Sequence, residues 1–131
     1  MLGPARRSSP LFDPQSLQPF VVSRSKIDLF IVPATTEVDR GLDSEKIGSK
    51  TLRQIFSEAG GRTSDASCAA CLGGPVDTFG RLNKTEVCIS TTNRNFPGRM
   101  GSKQAQVYLA SPYTVAASAI EGKITDPRKF F

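Results

Sequence analysis

The sequence predicts an α/β fold with a mostly parallel sheet. Short apolar runs at residues 29–32, 86–90 and 106–110 have the length and composition of strands. Two segments with helical spacing of apolar residues alternate with these runs, and glycine and proline separate them. Such alternation is typical of parallel α/β sheets. Three strands make a thin sheet, so we expect the remaining strands to lie on sequence outside this chain.

The first strand, LFIV at residues 29–32, is followed by a predicted polar connection over residues 34–48. Ser49 is then expected to cap a helix that begins at Lys50 and ends at a glycine pair. Its apolar residues recur at helical spacing: Leu52, Ile55, Phe56 and Ala59.

The C-terminal elements have stronger signals. EVCIS at residues 86–90 and QVYLA at residues 106–110 predict the second and third strands. Ser111 as the cap and Pro112 in the first turn predict a helix that ends at Gly122.

Length and composition allow one modest domain. The chain has 131 residues, of which 38% are hydrophobic, and four of its nine prolines lie in the first 19 residues. We therefore expect residues 1–25 to be disordered and residues 26–131 to form the packed unit. The basic start MLGPARRSSP is weakly similar to an organelle transit peptide, but it lacks a clear amphipathic helix, and an arbitrary N-terminus is the favoured interpretation. No apolar run approaches the roughly 18 residues of a membrane span, which predicts a soluble protein without a membrane partner, cytoplasmic or, in a eukaryote, plastid or mitochondrial.

The net charge of +5 raises the question of an anionic partner. Most of the excess lies at the C-terminal end, around Arg94, Arg99 and Lys103. Nucleic acid would suit the pI of about 9.4, but the chain has no Trp, two Tyr and no long basic run. A small anionic ligand held by a few fixed arginines fits better, so no nucleic-acid partner is expected.

Three cysteines and no histidine exclude a Ser-His-Asp triad, a Cys-His pair and a Cys2His2 zinc site. SCAACLGG, residues 67–74, contains the pair Cys68 and Cys71, whose sulfurs can reach one metal or cluster across a turn. If Cys68 stands near a helix start, its iron-binding thiolate would be favoured. A redox or incidental pair is the alternative. A zinc ribbon with Cys88 would need its fourth ligand at Thr91, and Cys88 is predicted to be a small hydrophobic residue within a strand.

STTNRNFPGRMGSK, residues 90–103, follows a predicted strand and has the composition of a loop. Arg94 and Arg99, with Asn93 and Asn95, form a compact set of hydrogen-bond donors. Guanidinium groups bind carboxylates bidentately, and ligands of open α/β sheets bind at strand ends. A solvated basic loop is the alternative.

The motifs CxxCLGG and NRNFxGR, in this order, resemble the C-terminal end of 3-isopropylmalate dehydratase large subunits in the aconitase family. The resemblance is continuous over residues 67–131 and looser back to about Lys26. It implies a three-layer α/β/α domain and a [4Fe–4S] cluster held by three cysteines, with one iron open as a Lewis acid. It also implies interconversion of 2-isopropylmalate and 3-isopropylmalate in leucine biosynthesis.

By this resemblance Cys68 and Cys71 match two cluster ligands, and Asn93, Arg94 and Arg99 match residues that bind the substrate's carboxylates. Cys88 matches no ligand. The family's third cysteine would fall near Ser8, but no cysteine precedes Cys68.

The resemblance further implies a separate small subunit that carries the swivelling domain and the catalytic serine base. With two ligands of three and no base, the chain is expected to be a fragment that is inactive alone, with no catalytic residue of its own. Two alternatives remain open. The chain could be a truncated non-catalytic paralogue that acts as an interaction module, or the substrate could be of the aconitase or homoaconitase type.

Overall fold

The structure, a computed structural model, describes residues 27–130. The expectations for residues 1–25 therefore lie outside the described residues. Within residues 27–130 the elements are, in order, β1 (Phe30–Ile31), α1 (Thr36–Ser44), β2 (Lys46–Ile47), β3 (Lys50–Thr51), α2 (Leu52–Glu58), β4 (Arg62–Thr63), α3 (Ala69–Leu72), β5 (Val87–Ser90), β6 (Gln106–Leu109), α4 (Pro112–Glu121) and a 3-10 helix (Pro127–Phe130).

The strands of the described region form three two-stranded sheets. β1 pairs with β4 and β5 pairs with β6, both in parallel, whereas β2 and β3 form an antiparallel hairpin. Helices connect the strands of the first parallel pair, so the predicted α/β class and parallel pairing are confirmed. The hairpin and β4 were not predicted.

The predicted polar connection over residues 34–48 is wrong, because it contains α1 and β2. Thr35 caps α1 by accepting a hydrogen bond from the Val38 amide through Oγ1, and Glu37 in the first turn suits the positive end of the helix. Leu42 is the buried residue of α1. One buried apolar residue is too weak a pattern to predict a helix from sequence.

The predicted start of α2 is also wrong. Ser49 lies in the turn of the β2–β3 hairpin, after Gly48, which has a φ of 63°. Thr51 is the cap, and its side chain and that of Gln54 bind each other's backbone amides in a capping box. The sequence pattern therefore identified the helix but placed its start two residues early.

The elements predicted near the C-terminus are confirmed. Ser111 caps α4 by accepting from the Thr114 amide, and Gly122 ends the helix with a φ of 73°. The tail after Gly122 folds back on α4, since the Thr125 amide donates to Ser118 Oγ at 3.0 Å.

The core of the described region is small. Its buried hydrophobic side chains are Leu42, Ala59, Leu82, Met100, Ala117 and Ala119. None of the large side chains among residues 27–130 is fully buried, and Val76 and Val87 are mostly exposed. α4, the longest helix in this range, has 10 residues, so no helix there is long enough to cross a bilayer.

Candidate functional site

The cysteine pair lies in a segment that we call the cysteine turn, residues 67–74. It follows the first parallel strand pair and is attached to it, since the Ser67 amide donates to the Pro33 carbonyl at 3.0 Å. Pro33 lies just beyond the carboxyl end of β1, which is the edge where parallel sheets bind ligands. The cysteine turn therefore begins at the carboxyl-end edge of this sheet.

Cys68 is exposed and occupies the cap position of α3, while Cys71 lies within α3 and is half-buried. The Cys71 thiol donates to the Cys68 carbonyl oxygen, with an Sγ to O distance of 3.0 Å. The expected helix start at Cys68 is confirmed, but α3 is a single turn of four residues.

The predicted arginine residues lie in a second segment, which we call the arginine loop, residues 91–105, between β5 and β6. Asn95 attaches the loop to the sheet, since its Nδ2 donates to the carbonyl oxygen of Val107 in β6. Asn93 and Arg94 are exposed, and no hydrogen bond or ion pair within the described region involves either side chain. Both are therefore available to a ligand.

Arg99 has a different environment from Arg94. It is half-buried, and its guanidinium carbon lies 5.6 Å from the centre of the Phe96 ring. Its Nε atom is buried and has no hydrogen-bond partner within the described region. A buried N–H of a cation without a partner costs free energy, so an acceptor such as a carboxylate oxygen would be stabilised there.

The cysteine turn and the arginine loop meet at a close backbone contact between Gly73 and Gly101. A Cβ atom added to Gly73 would lie 2.5 Å from the Gly101 amide nitrogen and 2.8 Å from the Arg99 carbonyl oxygen. Gly73 also has a φ of 63°, which glycine adopts at no steric cost. The two segments therefore touch through backbone atoms, with no side chain between them.

A third segment joins them on the other side. The Leu82 amide donates to the Met100 carbonyl at 2.9 Å, and the Ser102 amide donates to the Leu82 carbonyl at 2.8 Å. Arg81, next to this bridge, donates through Nε to the carbonyl oxygens of Gly73 at 3.1 Å and Gly74 at 2.8 Å. We call this contact among Gly73, residues 81–82 and residues 99–102 the junction.

The third cysteine is separate from this site. Cys88 lies in β5, where burial, and secondarily the charge of Glu86, raises the pKa of its thiol. A raised pKa disfavours the thiolate that binds metals. Within residues 27–130 no three His, Cys, Asp or Glu side chains form a group able to hold a metal ion, so Cys88 does not complete a zinc site with Cys68 and Cys71.

Sequence reasoning did not find Arg81, Leu82 or Gly101 as parts of the site. Their contacts with the cysteine turn and the arginine loop are mostly backbone contacts between segments distant in sequence, which no residue pattern encodes. The one available signal was Arg81 itself, a basic residue in the short segment between the two motifs.

Comparison with known proteins identifies the family. A model of the aconitase family (aconitate hydratase) matches residues 20–122. The chain belongs to the aconitase family. Within that family it is 57% identical over 109 residues to "3-isopropylmalate dehydratase large subunit, chloroplastic" of Arabidopsis thaliana, covering 80% of this chain and 21% of that protein.

Bacterial and archaeal members of the family are also similar. The proteins named 3-isopropylmalate dehydratase large subunit of Campylobacter concisus and large subunit 1 of Methanopyrus kandleri are 50% and 44% identical over 103 and 108 residues. Each alignment covers 79% of this chain and 23% of the relative. The chain thus spans less than a quarter of the length of these relatives, and both site motifs lie within the matched family region.

The donor groups of the site fit part of an iron–sulfur centre. Two cysteines in one turn, one of them exposed, are of the ligand type that such clusters use. The described residues offer no third thiol beside them. The unpartnered Nε of Arg99 is suited to an anion and not to a metal, because a guanidinium has no acceptor.

Proposed function

We propose that the chain forms part of the cluster- and substrate-binding region of an iron–sulfur hydro-lyase that interconverts 2-isopropylmalate and 3-isopropylmalate in leucine biosynthesis. The observation that carries this proposal is the junction, where the arginine loop contacts the cysteine turn at Gly73. Similarity to relatives that are named for this reaction supports the choice of substrate.

In this proposal Cys68 and Cys71 each supply a thiolate to a [4Fe–4S] cluster. When bound, such a cluster supplies an open iron that acts as a Lewis acid. Arg94 and Arg99 bind the two carboxylates of the substrate, because a guanidinium fork matches a carboxylate in geometry and in charge. Asn93, exposed at the same end of the loop, donates a neutral hydrogen bond.

The fold and partners follow from the same proposal. Residues 26–131 form the C-terminal part of a three-layer α/β/α domain, and residues 1–25 lie mainly outside the family pattern. A small subunit with the swivelling domain supplies the base. The chain is inactive alone, since it carries two of three cluster cysteines and no base.

The metal part of the proposal can be tested on the full chain with Co²⁺ as the probe under anaerobic conditions. We expect thiolate-to-cobalt charge-transfer absorbance that is lost in Cys68→Ser and in Cys71→Ser. Cys88→Ser is the matched control and should keep the absorbance. Equal loss in all three variants, or no absorbance in the wild type, would overturn the assignment of the metal ligands.

The anion part needs a separate measurement. Titration of the chain with 2-isopropylmalate, followed by NMR of backbone amides, should shift signals of the arginine loop. Arg94→Gln and Arg99→Gln should weaken binding, whereas Arg40→Gln, an equal charge change at an exposed position of α1, should not. Equal weakening by all three would show attraction by net charge alone. Turnover of isopropylmalate by the chain alone would contradict the expected inactivity.

A second candidate, a non-catalytic interaction module, is favoured by apolar exposure on the two site segments. Leu72 in α3 and Phe96 in the arginine loop leave 56% and 50% of their surface exposed. This candidate predicts that neither Co²⁺ nor 2-isopropylmalate binds to the folded chain. The two titrations therefore separate it from the first.

A further inference from the structure

Arg81 bonds to the end of the cysteine turn in an unusual way. Its Nε donates to two successive carbonyl oxygens, those of Gly73 and Gly74. These carbonyls directly follow α3, where no further helical turn supplies N–H groups to donate to them. Arg81 therefore fixes the path of the chain just after Cys71 and Leu72.

The same side chain is in contact with the arginine loop. A Cβ atom added to Gly101 would lie 2.9 Å from Arg81 Cγ and 2.2 Å from the Leu82 carbonyl oxygen. Gly101 has a φ of 127°, a conformation that side-chain-bearing residues rarely adopt. The stem of Arg81 thus packs on Gly101 while its Nε holds Gly73 and Gly74.

The outer end of Arg81 is also restrained. Its Nη1 donates to the side-chain oxygen of Asn83, and Asn83 in turn donates through Nδ2 to the Val76 carbonyl at 2.9 Å. Two nitrogen atoms of the guanidinium, Nε and Nη1, are therefore hydrogen-bonded within residues 73–83. These two nitrogen atoms of Arg81 are committed to contacts within the protein.

We propose that Arg81 is a positioning residue that holds the cysteine turn against the arginine loop and so sets the position of Cys71 relative to Arg99. The inference deepens the proposed function, since the role of these two residues rests on it. The contact itself does not depend on a cluster or a substrate, so it can be tested on the chain alone.

The test uses two substitutions of similar length. Arg81→Met keeps an unbranched apolar stem but places a methyl group where Nε stood, so both hydrogen bonds to the turn are lost. Arg81→Gln places an amide nitrogen at the same number of bonds from the backbone, and this nitrogen can still donate to Gly73 and Gly74. Circular dichroism first establishes that both variants fold.

Two local rates report on the two sides of the junction. Alkylation of Cys71 by iodoacetamide, followed by mass spectrometry, reports on the turn, and tryptic cleavage after Arg99 reports on the loop. Cys88 in β5 and Arg62 in β4 are not part of the junction and serve as the internal controls for the two reactions.

In Arg81→Met we expect both local rates to rise roughly tenfold relative to their controls. Loss of the charge-assisted hydrogen bonds removes about 1.4 kcal/mol of stabilisation from the junction, which corresponds to a roughly tenfold larger population of the locally opened state. Arg81→Gln keeps a neutral donor at this position, so its rates should rise clearly less than those of Arg81→Met. The Co²⁺ charge-transfer spectrum of Arg81→Met should also differ from that of the wild type, because the two thiols are no longer held in one geometry.

A rise at the internal controls as large as that at Cys71 and Arg99 would assign Arg81 a general structural role and overturn the proposal. So would unchanged rates in Arg81→Met, or equal effects of the two variants. If the local rates respond but Co²⁺ never binds, the positioning role stands and the proposed function fails.

Discussion

A single methyl group at Gly73 should measure how closely the two site segments approach each other. Gly73 has a φ of 63°, and an added Cβ would lie 2.5 Å from the amide nitrogen of Gly101. Gly48, in the β2–β3 hairpin, also has a φ of 63° but has no atom within 4 Å of an added Cβ. Gly73→Ala and Gly48→Ala therefore have the same cost of placing alanine in a left-handed backbone conformation. Only Gly73→Ala also brings the new methyl group against neighbouring atoms.

The magnitudes follow from this difference. Placing alanine in the left-handed region costs roughly 1–2 kcal/mol at either position. The entropy that alanine removes from the unfolded chain is also common to both variants, so it cancels in the comparison. At Gly73 the new methyl group meets backbone atoms that cannot rotate away, which adds about 1–3 kcal/mol, as in overpacked cores. Gly73→Ala should therefore be the more destabilised variant by about 1–3 kcal/mol.

Urea unfolding followed by far-UV circular dichroism is the suitable assay, because the chain has no Trp to report by fluorescence. Equal slopes of the two transitions would show that both variants unfold between the same states. A difference between the two variants below about 0.5 kcal/mol, the usual effect of a surface substitution, would refute the close approach of the cysteine turn to the arginine loop.

Two further predictions concern the scaffold. The hydrogen bond from Arg53 holds the pKa of the Asp43 carboxyl below its usual range. The ion pair therefore contributes stability at neutral pH and loses it as the pH falls through the lowered pKa. The difference in unfolding free energy between wild type and Arg53→Met should accordingly shrink in acid, and a difference independent of pH would contradict the ion pair. Ser118→Ala should cost about 1–3 kcal/mol in urea unfolding, because the Thr125 amide loses its acceptor, whereas the exposed Ser44→Ala should change little.

Local signals explain which elements the sequence predicts well. α4 carries its start and its end in adjacent residues, Ser111 and Pro112 at one end and Gly122 at the other, so no distant contact is needed to define it. α1 has equally good capping at Thr35, but its apolar pattern is reduced to Leu42 and the exposed Val38. Its helix is stabilised by contacts with α2, such as the ion pairs of Arg53, that sequence periodicity does not show.

The candidate site also has parts that the sequence predicts and parts that it does not. Each motif is visible in the sequence because its residues are neighbours. The predicted loop is found from residue 91 onward, since Ser90 still belongs to β5, and the turn around Cys68 is found as well. The roles of Cys68, Cys71, Asn93, Arg94 and Arg99 stay predictions. The approach of the motifs could not be predicted, because it depends on the backbone contact between Gly73 and Gly101 and on hydrogen bonds to backbone carbonyls, and a backbone group carries no sequence signal.

The junction and the neighbouring sheets are stabilised by different contacts. Val87 and Tyr108 lie on one face of the β5–β6 pair and leave 68% and 48% of their surface exposed, so this face lacks the burial that stabilises a parallel sheet. Leu82 and Met100, by contrast, are both buried, and their backbone bridge is part of the junction. Because the hydrogen bonds and the buried side chains of the junction all lie within the described region, the junction depends less than the sheets on partners outside it. We therefore expect the contact between the cysteine turn and the arginine loop to be the part of the site that this chain preserves by itself.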